Sequence, residues 1–280
     1  MERILIGIDP EAASDVAVEW AIERGRRHEV ELHAVSVVDL LLWDSTPLEE
    51  RLAQLRERIA SALPRARVTT ALVDGPVVET LAAESERADL VAVGYHRRRP
   101  VRSILAGALP VRIAARSHCP TVVVPEDWGP RKGPVVVGVA DDASSEAAVE
   151  FAVREALAAD AELLVVHAWS LPNPSMDTVA DLVGRAELIR RNHRDLLDEL
   201  VARLRLAHPR LRLRPELVEA PGAVALERAA ADARLLVVGT HRRGPVSGLI
   251  LGSTLLDVLP FSPAPVCIVP AAAPLTPGRR

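Results

Sequence analysis

The sequence predicts an α/β protein of two like domains, each a five-stranded parallel sheet with helices on both faces. Three observations predict it. The chain is written twice: ILIGIDPEAASDVAVEWAIERG from residue 4 answers VVVGVADDASSEAAVEFAVREA from residue 135, and DLVAVGYHRR at Asp89 answers RLLVVGTHRR at Arg234. Within each copy, short unbroken Val/Ile/Leu runs alternate with amphipathic stretches, the pattern of strands buried on both faces and joined by helices. Between the copies, PEDWGPRKGP at 125–134 carries the Pro, Gly and charge of a linker. A length of 280 residues suits two domains of ~100–200 residues each.

Each copy reads β-α-β-α-β-α-β-α-β. In the first, the strands are Ile4–Ile8, Glu31–Val37, Arg67–Leu72, Leu90–Val93 and Thr121–Val124. The first helix turns Val16 and Trp20 toward one side and its charges toward the other. Asp9 stands where it could cap that helix, over 11–27, or serve a ligand. Pro110 sits in the first turn of the fourth helix, where a missing N–H does little harm. The copies are offset by 131 residues at the front, Gly7 to Gly138, and by 145 at the back, Gly94 to Gly239. The second copy therefore holds about fourteen extra residues, placed in the loop and helix around Leu171–Leu206. The linker is short, so the halves are expected to sit against each other. The tail AAAPLTPGRR, 271–280, reads as disordered.

Composition narrows the function. Aromatic residues are 2% of the chain, so the cores must be Val, Leu, Ile and Ala. A net charge of −4 argues against nucleic acid or an anionic membrane as the partner. One cysteine per half, Cys119 and Cys267, supports neither a disulfide framework nor a metal cluster, and reads as packing in a cytoplasmic protein. The N-terminus enters a strand directly, without a leader pattern. No apolar run approaches the ~20 residues that cross a bilayer.

The stretch most suggestive of a ligand is VVGTHRRGPVSGLILGS, 237–253. A strand breaks at Gly239, and Gly252-Ser253 opens a helix with Thr254 behind it. Glycine lets backbone N–H groups approach an anion, and a hydroxyl at a helix start lies where the helix dipole favours negative charge. The bland alternative is a tight turn with Ser253 or Thr254 as an ordinary N-cap. Gly94 and Gly107 stand at the matching positions of the first copy. His33, His167 and His193 lack metal-ligand spacing and read as surface or core residues. No G-x-S-x-G or H-E-x-x-H pattern occurs, and Glu49-Glu50 lie on a polar helix face. No catalytic constellation emerges.

The repeat, opening with IGID or VGVA, closing with CPTVVVP or APVCIVP, and carrying Gly239 thirteen positions before Gly252-Ser253, resembles the universal stress protein family in its tandem-domain form. The resemblance runs from Met1 to about Pro270 and implies domains at 1–125 and 134–270, each of flavodoxin-like or HUP-type fold. Many members bind ATP through G-x-x-G, nine residues, then G-S/T; others lack that motif and do not. The second half matches at Gly239, Gly252 and Ser253, with Arg242 in place of the second glycine. The first half matches at Gly94 and Gly107, with Arg97 and Ala108 replacing the second glycine and the hydroxyl. The family's acid after the first strand is matched by Asp9, whereas Ala140 stands there in the second half, followed by Asp141 and Asp142. Val37 and Ala168 match the end of strand two, where members touch the base through the backbone.

The resemblance thus implies a non-enzymatic, cytoplasmic stress-response module with an adenine-nucleotide site, ATP with Mg²⁺ bridging, better kept in the second domain. Arg97 and Arg242 stay open among three readings: bidentate phosphate donors, solvated loop residues, or obstructions where glycine took positive φ. The alternative function is a nucleotide-free interaction scaffold with degenerate sites. In either case the resemblance places the halves as an intramolecular pseudo-dimer across the fifth strands, Thr121–Val124 and Val266–Val269, which would cover two apolar edges. A homodimer and an unidentified protein partner, held by exposed helices of the first half, are the further associations. A hydrolase related to the fold is disfavoured, because no general base lies beside the loop.

Overall fold

The computed structural model describes residues 1–9, 14–38, 46–96, 109–141, 145–171, 179–240 and 253–271. In the first half β1 (Glu2–Ile8), α1 (Asp15–Gly25), β2 (Val30–Val38), α2 (Thr46–Ala62), β3 (Arg67–Asp74), α3 (Val77–Glu84), β4 (Leu90–Tyr95), α4 (Leu109–Arg116) and β5 (Thr121–Pro125) follow in order. The second half repeats them as β6 (Val135–Val139), α5 (Glu146–Ala158), β7 (Leu163–Trp169), α6 (Val179–Ala207), β8 (Leu213–Glu219), α7 (Gly222–Ala230), β9 (Leu235–Gly239), α8 (Ser253–Val258) and β10 (Val266–Val269). The extra residues of the second copy lengthen α6 to 29 residues, against 17 in α2.

All ten strands form one sheet, in the order β3-β2-β1-β4-β5-β10-β9-β6-β7-β8. Each half is parallel throughout, and the halves join antiparallel at β5 and β10, with Val266 opposite Val123 and Cys267 opposite Val122. This is the pairing the resemblance implied; it turns two apolar edges into the centre of the sheet, where every residue of β5 and β10 is buried. The true edges are β3 and β8, which are half-exposed and mixed in composition. Pro215 sits in β8, an edge strand, where its missing N–H costs no central ladder bond.

Two apolar layers flank the sheet, and each spans both halves. One gathers Val18, Ala21 and Ile59 with Phe151, Leu197 and Val201. The other gathers Leu81, Val111 and Ile113 with Leu226, Leu255 and Val258. Unbroken Val/Ile/Leu strands are what a sheet covered on both faces requires.

Three details differ from the sequence reading. First, α1 begins at Asp15, so Asp9 does not cap it; the residue at the cap position is Ser14, whose side chain makes no cap bond. Second, α1 does not keep all its charges outside. Arg24 is buried, its side chain bonded to Glu2 at 2.7 and 2.9 Å and to Glu155 by two bonds of 2.7 Å. Arg24 and Glu155 lie 131 residues apart, the offset of the repeat, so they hold the same position in the two copies. Third, the linker is more than a spacer. Trp128 packs on the core, and the Arg131 Nη1 donates to the Ala231 carbonyl at 2.9 Å. At Gly133 the backbone presses so close to the Asp232 carbonyl that a Cβ would lie 1.6 Å from its oxygen. The expectation for the tail falls, from 272 onward, outside the described residues.

Candidate functional site

Where the strand order of a parallel sheet reverses, the two crossovers leave on opposite faces and a crevice opens at the carboxyl ends of the strands. The reversals here lie between β1 and β4 in the first half and between β6 and β9 in the second. In the first, Gly7 stands opposite both Val35 and Val93, which brings Asp9, Val37 and Gly94 to one edge. In the second, Val137 stands opposite Val165 and Val237, which brings Ala140, Ala168 and Gly239 to the corresponding edge. Ser253 opens α8 and Thr254 follows it. The Ala220 amide donates to the Trp169 carbonyl at 3.0 Å, and a Cβ on Gly222 would lie 3.3 Å from Thr254 Cγ2. These contacts set the first turn of α8 near the carboxyl end of β7. Gly107, Arg242 and Gly252, with Arg97 and Ala108, lie outside the described residues.

The two edges are tied differently by one residue type. Ser14 and Ser145 occupy the same position in the repeat. In the first half the Ser14 hydroxyl donates to Asp9 Oδ1 at 3.5 Å, and Arg51 reaches Ser14 Oγ at 3.3 Å and Asp15 Oδ1 at 2.9 Å. In the second half no carboxylate stands at Ala140, and Ser145 Oγ instead accepts the Ala140 amide at 2.9 Å. The first edge thus presents an acid within a serine–arginine cluster, and the second a backbone closed on itself.

Sequence reasoning missed a histidine pair beside the second edge. His167 Nδ1 is 2.9 Å from the Val139 carbonyl, which can only accept, so that nitrogen carries the proton. His167 Nε2 is then an acceptor, 2.8 Å from the donating Nδ1 of His193. The His193 ring stacks on Trp169, centroids 5.7 Å apart. Burial, and then the neighbouring His167, draw the His193 pKa below its ordinary 6.5 against the pull of Asp141. His167 is core and His193 half-exposed, as their types allowed, but their contact had no sequence signal, since it joins β7 to the lengthened α6. The first copy has Ser36 at the position of His167, with its buried hydroxyl unpartnered among the described residues. His96, just past Gly94, donates from Nδ1 to Glu126 Oε2 at 2.7 Å. Among the described residues no group of three or more His, Cys, Asp or Glu side chains is placed to hold a metal. Nor is any described helix long and apolar enough to cross a membrane.

Burial pushes the Cys119 thiol up to about 12, with Asp89 adding to the effect, and burial likewise pushes Cys267 well above its ordinary value. Neither is a nucleophile near neutral pH.

Comparison with known proteins agrees with this architecture. The universal stress protein family profile matches twice, over residues 1–125 and 133–270. The chain is 30% identical to universal stress protein Rv1996 of Mycobacterium tuberculosis, covering 95% of this chain and 94% of that one. A universal stress protein of Mycolicibacterium smegmatis is 26% identical, covering 95% and 96%. Among solved structures, a universal stress protein from Archaeoglobus fulgidus superimposes with a TM-score of 0.71 at 21% identity, covering 96% of both chains. With two matches spanning nearly the whole sequence, the chain belongs to the universal stress protein family.

Proposed function

We propose that this protein is a non-enzymatic, cytoplasmic stress-response module that binds an adenine nucleotide, ATP, at the carboxyl edge of its second half. The observation that carries the reading is the reversal of strand order between β6 and β9, which sets Gly239 and Ala168 at one carboxyl edge of the sheet, with Gly222 at the start of α7 packed against Thr254 in the first turn of α8. Gly239 and Gly252 would leave amides open to phosphate oxygens, Ser253 and Thr254 would supply hydroxyls, and Arg242 a guanidinium. An accompanying Mg²⁺ would offset the phosphate charge. Ala168 would meet the base through its main chain. In the first half Asp9, Val37, Gly94 and Gly107 form the weaker counterpart, whose acid is already engaged by Ser14.

Titration with a fluorescent ATP analogue tests this. The expected result is saturable binding that weakens at least about tenfold in Ser253→Ala and Gly252→Val, one lost charge-assisted bond being of that size. Binding unchanged in both variants, or none at millimolar ATP, overturns it.

A second reading, a nucleotide-free scaffold, is favoured by a different observation. Val224, Leu256 and Phe261, on and beside α7 and α8, are exposed apolar side chains. They would offer a partner protein a face on the second half, in addition to the first-half helices that the sequence suggested, where Leu109 on α4 is exposed in the same way.

A further inference from the structure

A cavity of about 290 Å³ opens where the linker meets both halves. It lies at the amino ends of β6 and β9, the opposite edge of the second half from Gly239. The buried Arg24–Glu155 pair is part of its wall. Around it stand four further cations: Arg27 from the turn after α1, Arg131 and Lys132 from the linker, and Arg234 from the start of β9. The acids that line it are already engaged, Glu155 by Arg24 and Glu23 by Arg26 and Arg27. Positive charge is therefore in excess.

Arg234 shows the strain of that excess most directly. Among the described residues its Nη1 and Nη2 reach only the carbonyls of Ala159 and Arg131, at 3.4 and 3.3 Å. Its Nε is buried and has no hydrogen-bond partner among the described residues. Burial and the charge of Arg27 both work against its protonated form. A guanidinium with unfilled donors is a costly thing to shelter unless an anion completes it. Trp128, half-buried on one wall, adds a flat apolar surface to the charge. A chain with 34 basic residues has only one lysine, and Lys132, exposed on the linker, is that lysine.

We propose that this interdomain cavity is a binding site for a small organic phosphate bearing a flat ring, held by Arg234, Lys132 and Arg27 with the ring against Trp128. The site is independent of the nucleotide edge proposed above. Binding there would tie the linker to both halves at once.

Phenyl phosphate and inorganic phosphate, titrated calorimetrically into the full chain at low salt, test the proposal. Phenyl phosphate should bind saturably and more tightly than inorganic phosphate. Arg234→Met should weaken it about tenfold, as loss of one sheltered charge-assisted bond does, and Lys132→Ala, whose ammonium is exposed, about two- to fivefold. Trp128→Ala should remove the advantage of the ring. Amine-directed labelling gives a second readout, because Lys132 is the only lysine: phenyl phosphate should protect it. Absence of saturable binding up to about 10 mM, a concentration that fills even weak sites, overturns the proposal. So does wild-type affinity in Lys132→Ala, an exposed change that does not threaten folding, or unprotected labelling at saturating ligand.

Discussion

Arg24 shows how much one side chain can hold together. It ends α1, lies over the Trp20 ring at 5.5 Å, and bonds carboxylates from both halves. Burial alone would weaken its charge and raise the pKa of Glu155, but the contact between them overrides burial, so that the Glu155 carboxyl stays below its ordinary value. Removing one partner leaves an uncompensated buried charge. Arg24→Met should cost about 3–5 kcal/mol in urea unfolding, whereas Arg24→Met with Glu155→Met should recover most of that loss. A double variant no more stable than the single one would contradict the pairing. The pH dependence follows in sign. A carboxyl with a depressed folded pKa contributes stability that is present above its ordinary value of 4.5 and lost as pH falls through the folded value. Stability measured from pH 6 downward should therefore fall in the wild type below about 4.5, and fall less steeply in the double variant.

At the scale of elements, the linker invites the sharpest contrast. A Cβ at Gly133 would lie 1.6 Å from the Asp232 carbonyl oxygen, and backbone cannot step aside as a side chain can. At Gly129 nothing lies within 4 Å of such an atom. Gly133→Ala should lower the melting temperature by several degrees, about 1–3 kcal/mol of forced displacement, while Gly129→Ala changes it little. Equal melting of the two variants would mean the linker is not clamped. The same elements show what the sequence could and could not disclose. The strands were legible because a sheet covered on both faces needs unbroken apolar runs, and Val135–Val139 or Thr121–Val124 can be little else. The repeat located Gly94 and Gly239 at strand ends before any coordinates. Pro and Gly marked the linker, yet its docking was hidden, because the clash at Gly133 depends on a turn a hundred residues away. The His167–His193 contact was hidden for the same reason. Asp9 looked like a cap until α1 began at Asp15 and Ser14 turned its hydroxyl toward the acid.

For the whole molecule, the continuous sheet matters most. Both apolar layers cross from one half to the other, and the central strand pair is buried on both faces. Melting of one half would uncover apolar surface of the other, so unfolding should be one cooperative transition. The two thiols report on it. Cys119 and Cys267, one in each half, are buried and held protonated. Both should resist a disulfide reagent in the native protein and become reactive at the same urea concentration. Release of one thiol well before the other would show halves that unfold separately.

The joint at Arg24 and Glu155 also has a polarity. Because these residues hold one position in the two copies, docking two first halves the same way would set arginine against arginine, and docking two second halves would set glutamate against glutamate. Only unlike halves give Arg24 a second carboxylate from across the joint. The joint therefore favours a pairing of unlike halves, and within one chain the unlike half is always at hand.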